Sequence, residues 1–414
     1  HDPRVHPHAV DVAGDGVDGN CLGGDPEPDA LRAALGPHPS STPDAPRRDL
    51  VLVTIDSLRE DHTSLAGYRW PTTPALAALA ARGVRFDGAR SPAPLTRRAV
   101  PALLYGRMAA TLPWTPSHRW PLVDDNQLPT LATTLADAGY RTAAIVSHRD
   151  LPLSAPTYRG FAEVIPLSDE LVSRHHDNAD AVVDRALAWL AAPAGGPRFL
   201  WIHLIDPHYP YRPPAAAPAL GPGASAYDRE IAFADAQVAR LLAALSADRT
   251  IVAVTADHGE ALGDHHRRFH GRGLDEGETH IPLVIAMPGG PATATAAPVS
   301  LIDLAPTFLD LVGLDAPAGM SGVSLAATVR TGAPPPDRPV LTELFDDGAG
   351  GRELLAVHVG ARKLVRDLAA GTDTAYDLAR DPHERSPLTD AAALAALRRA
   401  LAAAADRDLA RLPP

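Results

Sequence analysis

A chain of 414 residues is long enough for one large α/β domain and a smaller appendage. Its 50 acids against 38 Lys and Arg give a net charge of −12, which argues against nucleic acid as a partner. The single cysteine, Cys21, excludes a disulfide within the chain, and no apolar run reaches the ~18 residues of a membrane-spanning helix.

Residues 1–48 are rich in Pro, Gly and Asp with little apolar periodicity, so they read as a solvated tether. Within them, Asp11-Val-Ala-Gly-Asp15-Gly-Val-Asp18-Gly-Asn20-Cys21 resembles the Asp/Gly-rich metal-binding repeats (GDGxDxNC) of bacterial surface proteins. As a calcium loop it is weak: an EF-hand wants Asp or Asn third and Glu twelfth, where Ala13 and Leu22 stand. From Leu50 the pattern turns α/β. An uncharged, β-branched run predicts a buried parallel strand over 50–55, ending on Asp56. Then follow a helix over 74–83 closed by Gly83, a short strand at 84–86, and helical turns over 101–105 with Pro101 in an early position. Next come a helix at 130–138, a strand at 142–146, a helix at 179–192 and a strand at 199–205. A long amphipathic helix over 226–245 leads to a second key strand, 250–256, ending on Asp257-His258, and a further strand at 282–286. This alternation predicts an α/β fold over 49–340, a mostly parallel central sheet with helices on both faces. Paired strands over 354–365 and an Ala-rich helix over 391–409 predict a small C-terminal α+β subdomain within 341–414.

An acid just past a buried parallel strand lies at the carboxyl edge of the sheet, where ligands bind. Two such edges carry Asp56 and Asp257-His258, a carboxylate and imidazole set for one divalent metal ion. Mixed oxygen and nitrogen donors suit zinc or manganese better than calcium. Thr96 stands just before a predicted helix start, where an oxyanion meets backbone N–H groups and the positive end of the dipole. It is a candidate fourth ligand and nucleophile; a plain N-cap has the same signature. Arg97 and Arg98 either balance oxyanion charge or face solvent. His203-Leu-Ile-Asp206-Pro-His208 leaves a buried strand at the same edge, so His203 joins the two arginines as a substrate-binding candidate. His208 and His270 are candidates to bind the transferred oxyanion or protonate the leaving group, whereas His265, His266 and His280 read as loop caps.

These residues together resemble the sulfatase family of the alkaline phosphatase superfamily. The likeness runs in order over about 49–388, from Leu50-Val-Leu-Val-Thr-Ile-Asp56-Ser-Leu-Arg through Pro71-Thr-Thr-Pro-Ala-Leu and His203-Leu-Ile-Asp-Pro-His208. It continues through Tyr227-Asp-Arg-Glu-Ile-Ala-Phe-Ala-Asp235, Thr255-Ala-Asp-His-Gly-Glu260 and Tyr376-Asp-Leu-Ala-Arg-Asp-Pro-His-Glu384. The resemblance implies an alkaline-phosphatase-like sandwich, metal ligands at Asp56, Asp257 and His258, a nucleophile at Thr96, and substrate positions at His208 and His270. It implies attack on the sulfur or phosphorus of sulfate or phosphate esters. The family's C/S-x-P-S-R context, converted to formylglycine, is replaced by Thr96-Arg-Arg-Ala-Val100; its second acid is Ser57, and its Lys-x-His motif gives way to Ile145-Val-Ser-His148. The Thr-x4-Pro spacing of Thr96 to Pro101 is closer to the superfamily's phosphotransferases and phosphonate or phosphodiester hydrolases. The expectation is therefore a metal-dependent hydrolase with Thr96 unmodified. A phosphotransferase to a lipid or glycan hydroxyl, or a catalytically impaired surface binding module, stands as the alternative. The expected partner is a sulfated or phosphorylated small molecule, glycan or lipid, met in the periplasm or outside the cell, with a signal or membrane anchor ahead of His1 left open.

Overall fold

In the computed structural model, eight strands form the central sheet: β1 (Asp49–Ile55), β2 (Val84–Arg90), β3 (Arg141–Val146), β4 (Glu163–Ile165), β5 (Arg198–Leu204), β6 (Thr250–Ala256), β7 (Leu283–Ala286) and β8 (Thr293–Ser300). The structure describes residues 11–22, 24–114, 127–148, 151–152, 155–167, 178–193, 195–345 and 352–411. The strand order is β8-β2-β7-β6-β1-β5-β3-β4. Only β7 runs antiparallel to its neighbours; the other pairs are parallel. Every residue of β1 and β6 is buried, which is why both read as unbroken apolar runs. They are adjacent and in register, Ile55 opposite Ala256, so Asp56 and Asp257 leave the sheet side by side.

The helices used below are α1 (Pro28–Leu35), α2 (Pro74–Ala80), α3 (Thr96–Tyr105), α4 (Ala179–Ala191), α5 (Ala226–Ala244) and α6 (Ala391–Asp408). Two acids placed by sequence alone turn out to hold these helices. Asp235 accepts the Ala75 and Leu76 N–H groups at 2.7 and 3.0 Å, fastening the start of α2 to α5. Asp206 accepts the Ala179 N–H at 3.1 Å and so caps α4 from the end of β5. Among the described residues no helix is long and apolar enough to cross a membrane.

The expected C-terminal unit is a four-stranded antiparallel sheet, β9 (Val340–Leu344), β10 (Leu354–Val359), β11 (Arg362–Asp367) and β12 (Thr372–Asp377), packed against α6. Lys363, the chain's one lysine, is fully buried there. Its Nζ lies 3.1 Å from Glu276 Oε1 and 2.8 Å from Glu384 Oε1. Arg90 also meets Glu276, at 2.7 Å, so one carboxylate ties the central sheet to the small one. Burial opposes ionisation of Glu276, yet Arg90, Lys363 and His358 hold its carboxyl well below the usual range.

Several expectations shift. Residues 11–22 and 24–48 do not hang free: Asp11–Val12 pairs with Ala410–Arg411, and Leu31 and Leu35 of α1 pack on Ala13 and Ala410. Eight residues with two buried leucines are too short a period to stand out among prolines and glycines. Helix α3 starts at Thr96, not at Pro101, which sits inside it. Strands β4, β8, β9 and β12 escaped notice; β8 and β12 are half-exposed and polar, Thr293-Ala-Thr-Ala and Thr372-Asp-Thr, lacking the apolar run of a central strand.

Glu343 on β9 is wholly buried, with Oε1 accepting the Ala110 N–H at 2.7 Å. Burial pushes its carboxyl up from 4.5 to about 8. The native state thus keeps a proton that the unfolded chain releases above 4.5, so stability declines as pH rises from there and levels off above about 8. Glu343→Gln keeps the acceptor and removes the titration. Denaturant unfolding is expected to find the two proteins alike near pH 4.5, with the variant more stable at pH 8; the gain is on the order of 4 kcal/mol. An equal difference at both pH values would show that this carboxyl does not titrate with folding.

Candidate active site

Four strand ends and one helix start meet at the carboxyl edge. After β1 the chain turns sharply: Ser57 adopts φ +56, and its carbonyl accepts the Tyr227 hydroxyl at 2.6 Å. That left-handed residue is held in place by α5, which fixes the direction of Asp56 beside it. Ser57 Oγ donates to Asp56 Oδ1 at 2.6 Å. After β6, Asp257 Oδ1 accepts the His258 N–H at 2.9 Å, while Oδ2 is buried without a hydrogen bond. His258 Nδ1 donates to the Gly259 carbonyl at 2.8 Å, which leaves Nε2 as the acceptor. A side chain at residue 259 would put Cβ 2.2 Å from the Gly277 carbonyl, so this close crossing requires glycine.

Thr96 is the first residue of α3, and the N-cap is Leu95, whose carbonyl accepts the Ala99 N–H at 2.8 Å. The threonine side chain therefore does no capping. Its Oγ1 lies 3.0 Å from His258 Nε2 and 3.2 Å from Asp56 Oδ2. The helix presents its first-turn N–H groups at the same place.

The donor atoms of Asp56, Asp257 and His258 all lie within 4.8 Å of one another, and all three residues are fully buried. Burial opposes ionisation of Asp56, but His208, His148 and His203 keep its carboxyl well below the ordinary value. Burial and the charge of Asp56 push Asp257 up to about 7. Burial pushes the His258 imidazole down, favouring its neutral, ligating form. A buried carboxylate oxygen with no donor, beside a second carboxylate and an imidazole lone pair, is a donor set that fits a divalent cation. His265, Asp275 and Glu384 form a second such trio, but Asp275 already pairs with Arg267 and Glu384 with Lys363.

Four histidines surround the trio. His203 is wholly buried beneath Asp56, with Nδ1 2.8 Å from Thr54 Oγ1 and Nε2 3.4 Å from Asp56 Oδ2. Expected to meet substrate, it is instead buried against Asp56. His148, at the end of β3 and singled out in sequence only as a departure from the family motif, stands 3.2 Å from the same oxygen. Its signal was its place just past a buried strand. His208 and His270 are the partly exposed pair, with ring centres 5.1 Å apart. His270 Nδ1 donates to Glu260 Oε1 at 3.0 Å, and Tyr211 donates to Glu260 Oε2 at 2.8 Å. Glu260 and Tyr211 thus aim His270, roles that separated loops gave no means to read. Arg98 is turned to packing: its guanidinium stacks 4.0 Å over the Trp114 ring. Arg97 remains half-buried at the helix start.

Glu260→Gln keeps the shape of the His270 contact and removes its charge. The expected result is a fall in kcat on the order of tenfold or more with metal content unchanged. Loss of metal in that variant would move Glu260 into the ion site instead.

The family profile described as Sulfatase matches residues 48–314. The chain belongs to the sulfatase family. A second profile, N-sulphoglucosamine sulphohydrolase, C-terminal, matches residues 263–408 of this sulfatase. The uncharacterized sulfatase YidJ of Escherichia coli is 25% identical over 396 residues, covering 75% of this chain and 77% of that protein. Arylsulfatase K of Danio rerio is 41% identical over 96 residues, which span 22% of this chain and 18% of that one. Among solved structures, BT4656, in complex with D-glucosamine-2-N,6-O-disulfate, superposes with a TM-score of 0.75 at 19% identity, over 87% of this chain and 98% of that one. The phosphonate monoester hydrolase of Silicibacter pomeroyi reaches 0.67 at 23% identity, over 85% and 93%. The fold is thus the alkaline-phosphatase-like sandwich of sulfatases, a metal-dependent family of sulfuric ester hydrolases.

Proposed function

We propose that this sulfatase cleaves esters of phosphorus or sulfur oxyacids with Thr96 as an unmodified nucleophile. The observation that carries the reading is the Thr96 hydroxyl, 3.0 Å from His258 Nε2 and 3.2 Å from Asp56 Oδ2 at the positive end of α3. Asp56, Asp257 and His258 would hold the divalent ion. Their mixed donors favour zinc or manganese, with calcium also admissible. When bound, such an ion lowers the pKa of a neighbouring hydroxyl and neutralises charge on a substrate oxygen.

The chain's own groups supply the rest. Asp56 Oδ2 and His258 Nε2 flank the Thr96 hydroxyl and fix its direction, and its one proton leaves to water through Asp56 as Oγ attacks. Thr96 Oγ attacks the central atom in line with the leaving oxygen. The bond to that oxygen breaks, its electron pair departs with the alcohol, and His208 or His270 delivers the proton. Water then attacks the phosphorylated threonine, the bond to Thr96 Oγ breaks, and Thr96 regains its proton. This second step favours phosphorus esters. A formylglycine diol expels sulfate from a hemiacetal, whereas a threonine sulfate must be opened by a fresh attack on sulfur. The sulfated sugar bound by BT4656 and the hydrolase of Silicibacter pomeroyi support sulfated glycans and phosphonate monoesters as the classes to try first.

The test is turnover of nitrophenyl sulfate, phosphate, phosphodiester and phosphonate by protein loaded in turn with zinc, manganese and calcium. Metal-dependent turnover with phosphorus esters preferred is expected. No turnover of any ester by metal-loaded protein would leave the binding-module reading in its place. Product appearing on added alcohols rather than as free phosphate would make the protein a transferase.

A further inference from the structure

Two loops at the sheet edge carry the same two kinds of side chain in mirror order. One is His208-Tyr209, beyond β5; the other is Phe269-His270, at the end of a short hairpin that pairs Arg268–Phe269 with Ala261–Leu262. The histidine rings meet at 5.1 Å between centres, and the aromatic rings meet at 4.7 Å, inclined by 65°. His208 Nδ1 donates to the Tyr209 carbonyl at 2.6 Å, which ties the first pair together. On the inner side, the His270 ring lies 4.4 Å from that of the ion-site residue His258. On the outer side, Tyr211 extends the aromatic group, 5.7 Å from Tyr209. Exposure rises along this row. His258 is buried, the His270 side chain is 15% exposed and Tyr209 is 50% exposed. Among the described residues only Leu262 is another large apolar side chain left exposed. Phe269 is held at φ +70, a conformation that bulky side chains avoid.

Folding gains little from a ring left half in water, and backbone strain at a site's rim is a sign of use rather than of packing. We infer that Tyr209 and Phe269 form a wall for the leaving group, a ring-shaped alcohol that lays one face on Tyr209. The inference rests on the proposed reaction in one respect, that His208 and His270 meet the leaving oxygen. Whatever is bonded to that oxygen then has the aromatic pair as its neighbour. An aromatic face holds the flat face of an aryl ring, or the C–H face of a sugar ring, through many simultaneous dispersion contacts. A flexible chain of equal size must lose rotamer freedom to lie as flat. The wall decides which esters are accepted and takes no part in the bond changes.

The experiment measures, by calorimetry, the binding of three phosphonates to protein loaded with zinc and, separately, with manganese. A carbon in place of the leaving oxygen leaves no bond for Thr96 to break, so the measurement does not depend on the nucleophile. Benzylphosphonate carries an aryl ring, cyclohexylmethylphosphonate a saturated one, and heptylphosphonate as many carbons with no ring. At least one ring probe is expected to bind about three- to tenfold tighter than the heptyl chain. Preference for the benzyl probe marks an aryl alcohol, and preference for the cyclohexyl probe a sugar. Tyr209→Ala should erase the preference, while Tyr209→Phe, which keeps the ring, should retain it. Equal binding of rings and chain by the parent, or a ring preference that survives Tyr209→Ala, overturns the wall and leaves the catalytic reading standing. Binding of none of the three also overturns it; turnover of nitrophenyl esters by the same protein then tells whether the catalytic reading has fallen with it.

Discussion

Thr96→Ala is expected to lower kcat by about a thousandfold or more while leaving fold and metal content unchanged. The side chain is buried but carries no structural duty that alanine cannot meet: Leu95, not Thr96, caps α3. Its Oγ1 lies within hydrogen-bond reach of Asp56 and His258. Removing it takes away the atom that bonds to substrate, so the loss falls on kcat with little change in binding. Thr96→Ser keeps the oxygen and should retain activity within about tenfold. Intact-mass analysis of the parent after quenching with a fast-reacting ester should find an adduct on the peptide containing Thr96, absent from the alanine variant. Full activity in Thr96→Ala would hand the attack to water and leave Thr96 a spectator.

The sheet and the meeting of Asp56 with Asp257 and His258 were legible in sequence because their signals are local and physical. A central parallel strand is buried on both faces, so β1 and β6 are written as apolar runs, and each ends on an acid that nothing hydrophobic explains. Their adjacency was inference from the sheet's carboxyl edge; the register of Ile55 with Ala256 realises it. What remained unread depends on contacts between distant residues. His148 is an ordinary loop histidine until β3 is set beside β5 and the side chain meets Asp56. The direction of His203 turns on which face of β5 it occupies, a matter of one residue in a strand of period two. Thr96 is more telling. A hydroxyl before a helix reads equally as cap or nucleophile, and the start of α3 one residue earlier than a Thr96 cap would need removes the cap reading. The N-terminal segment misled for a related reason: its glycines and prolines indicate freedom, while its partner Ala410 lies at the other end of the chain.

Asp257→Asn is expected to separate stability from function. In the ion-free protein Asp257 is buried beside Asp56, and its carboxyl rises from 3.8 to about 7. The folded state then binds a proton that the unfolded chain gives up above 3.8, so this residue makes ion-free stability decline as pH rises, up to about 7. Asparagine does not titrate and keeps an acceptor for the His258 N–H. Above pH 7 the ion-free variant should therefore melt higher than the ion-free parent. With zinc or manganese added the order should reverse. The parent gains stability by binding, about 2.7 kcal/mol at a hundredfold excess over Kd. The variant has lost a charged ligand and gains little, and its turnover falls with its metal. His258→Ala should lose metal too, but without the ion-free gain, because it removes no like charge and leaves Asp56 and Asp257 facing each other. Melting curves of the three proteins with and without metal, and metal counted per chain, decide the matter. If Asp257→Asn keeps its catalytic ion, or the ion-free parent melts above it at every pH, two carboxylates crowded for the sake of one cation is the wrong description of these strand ends.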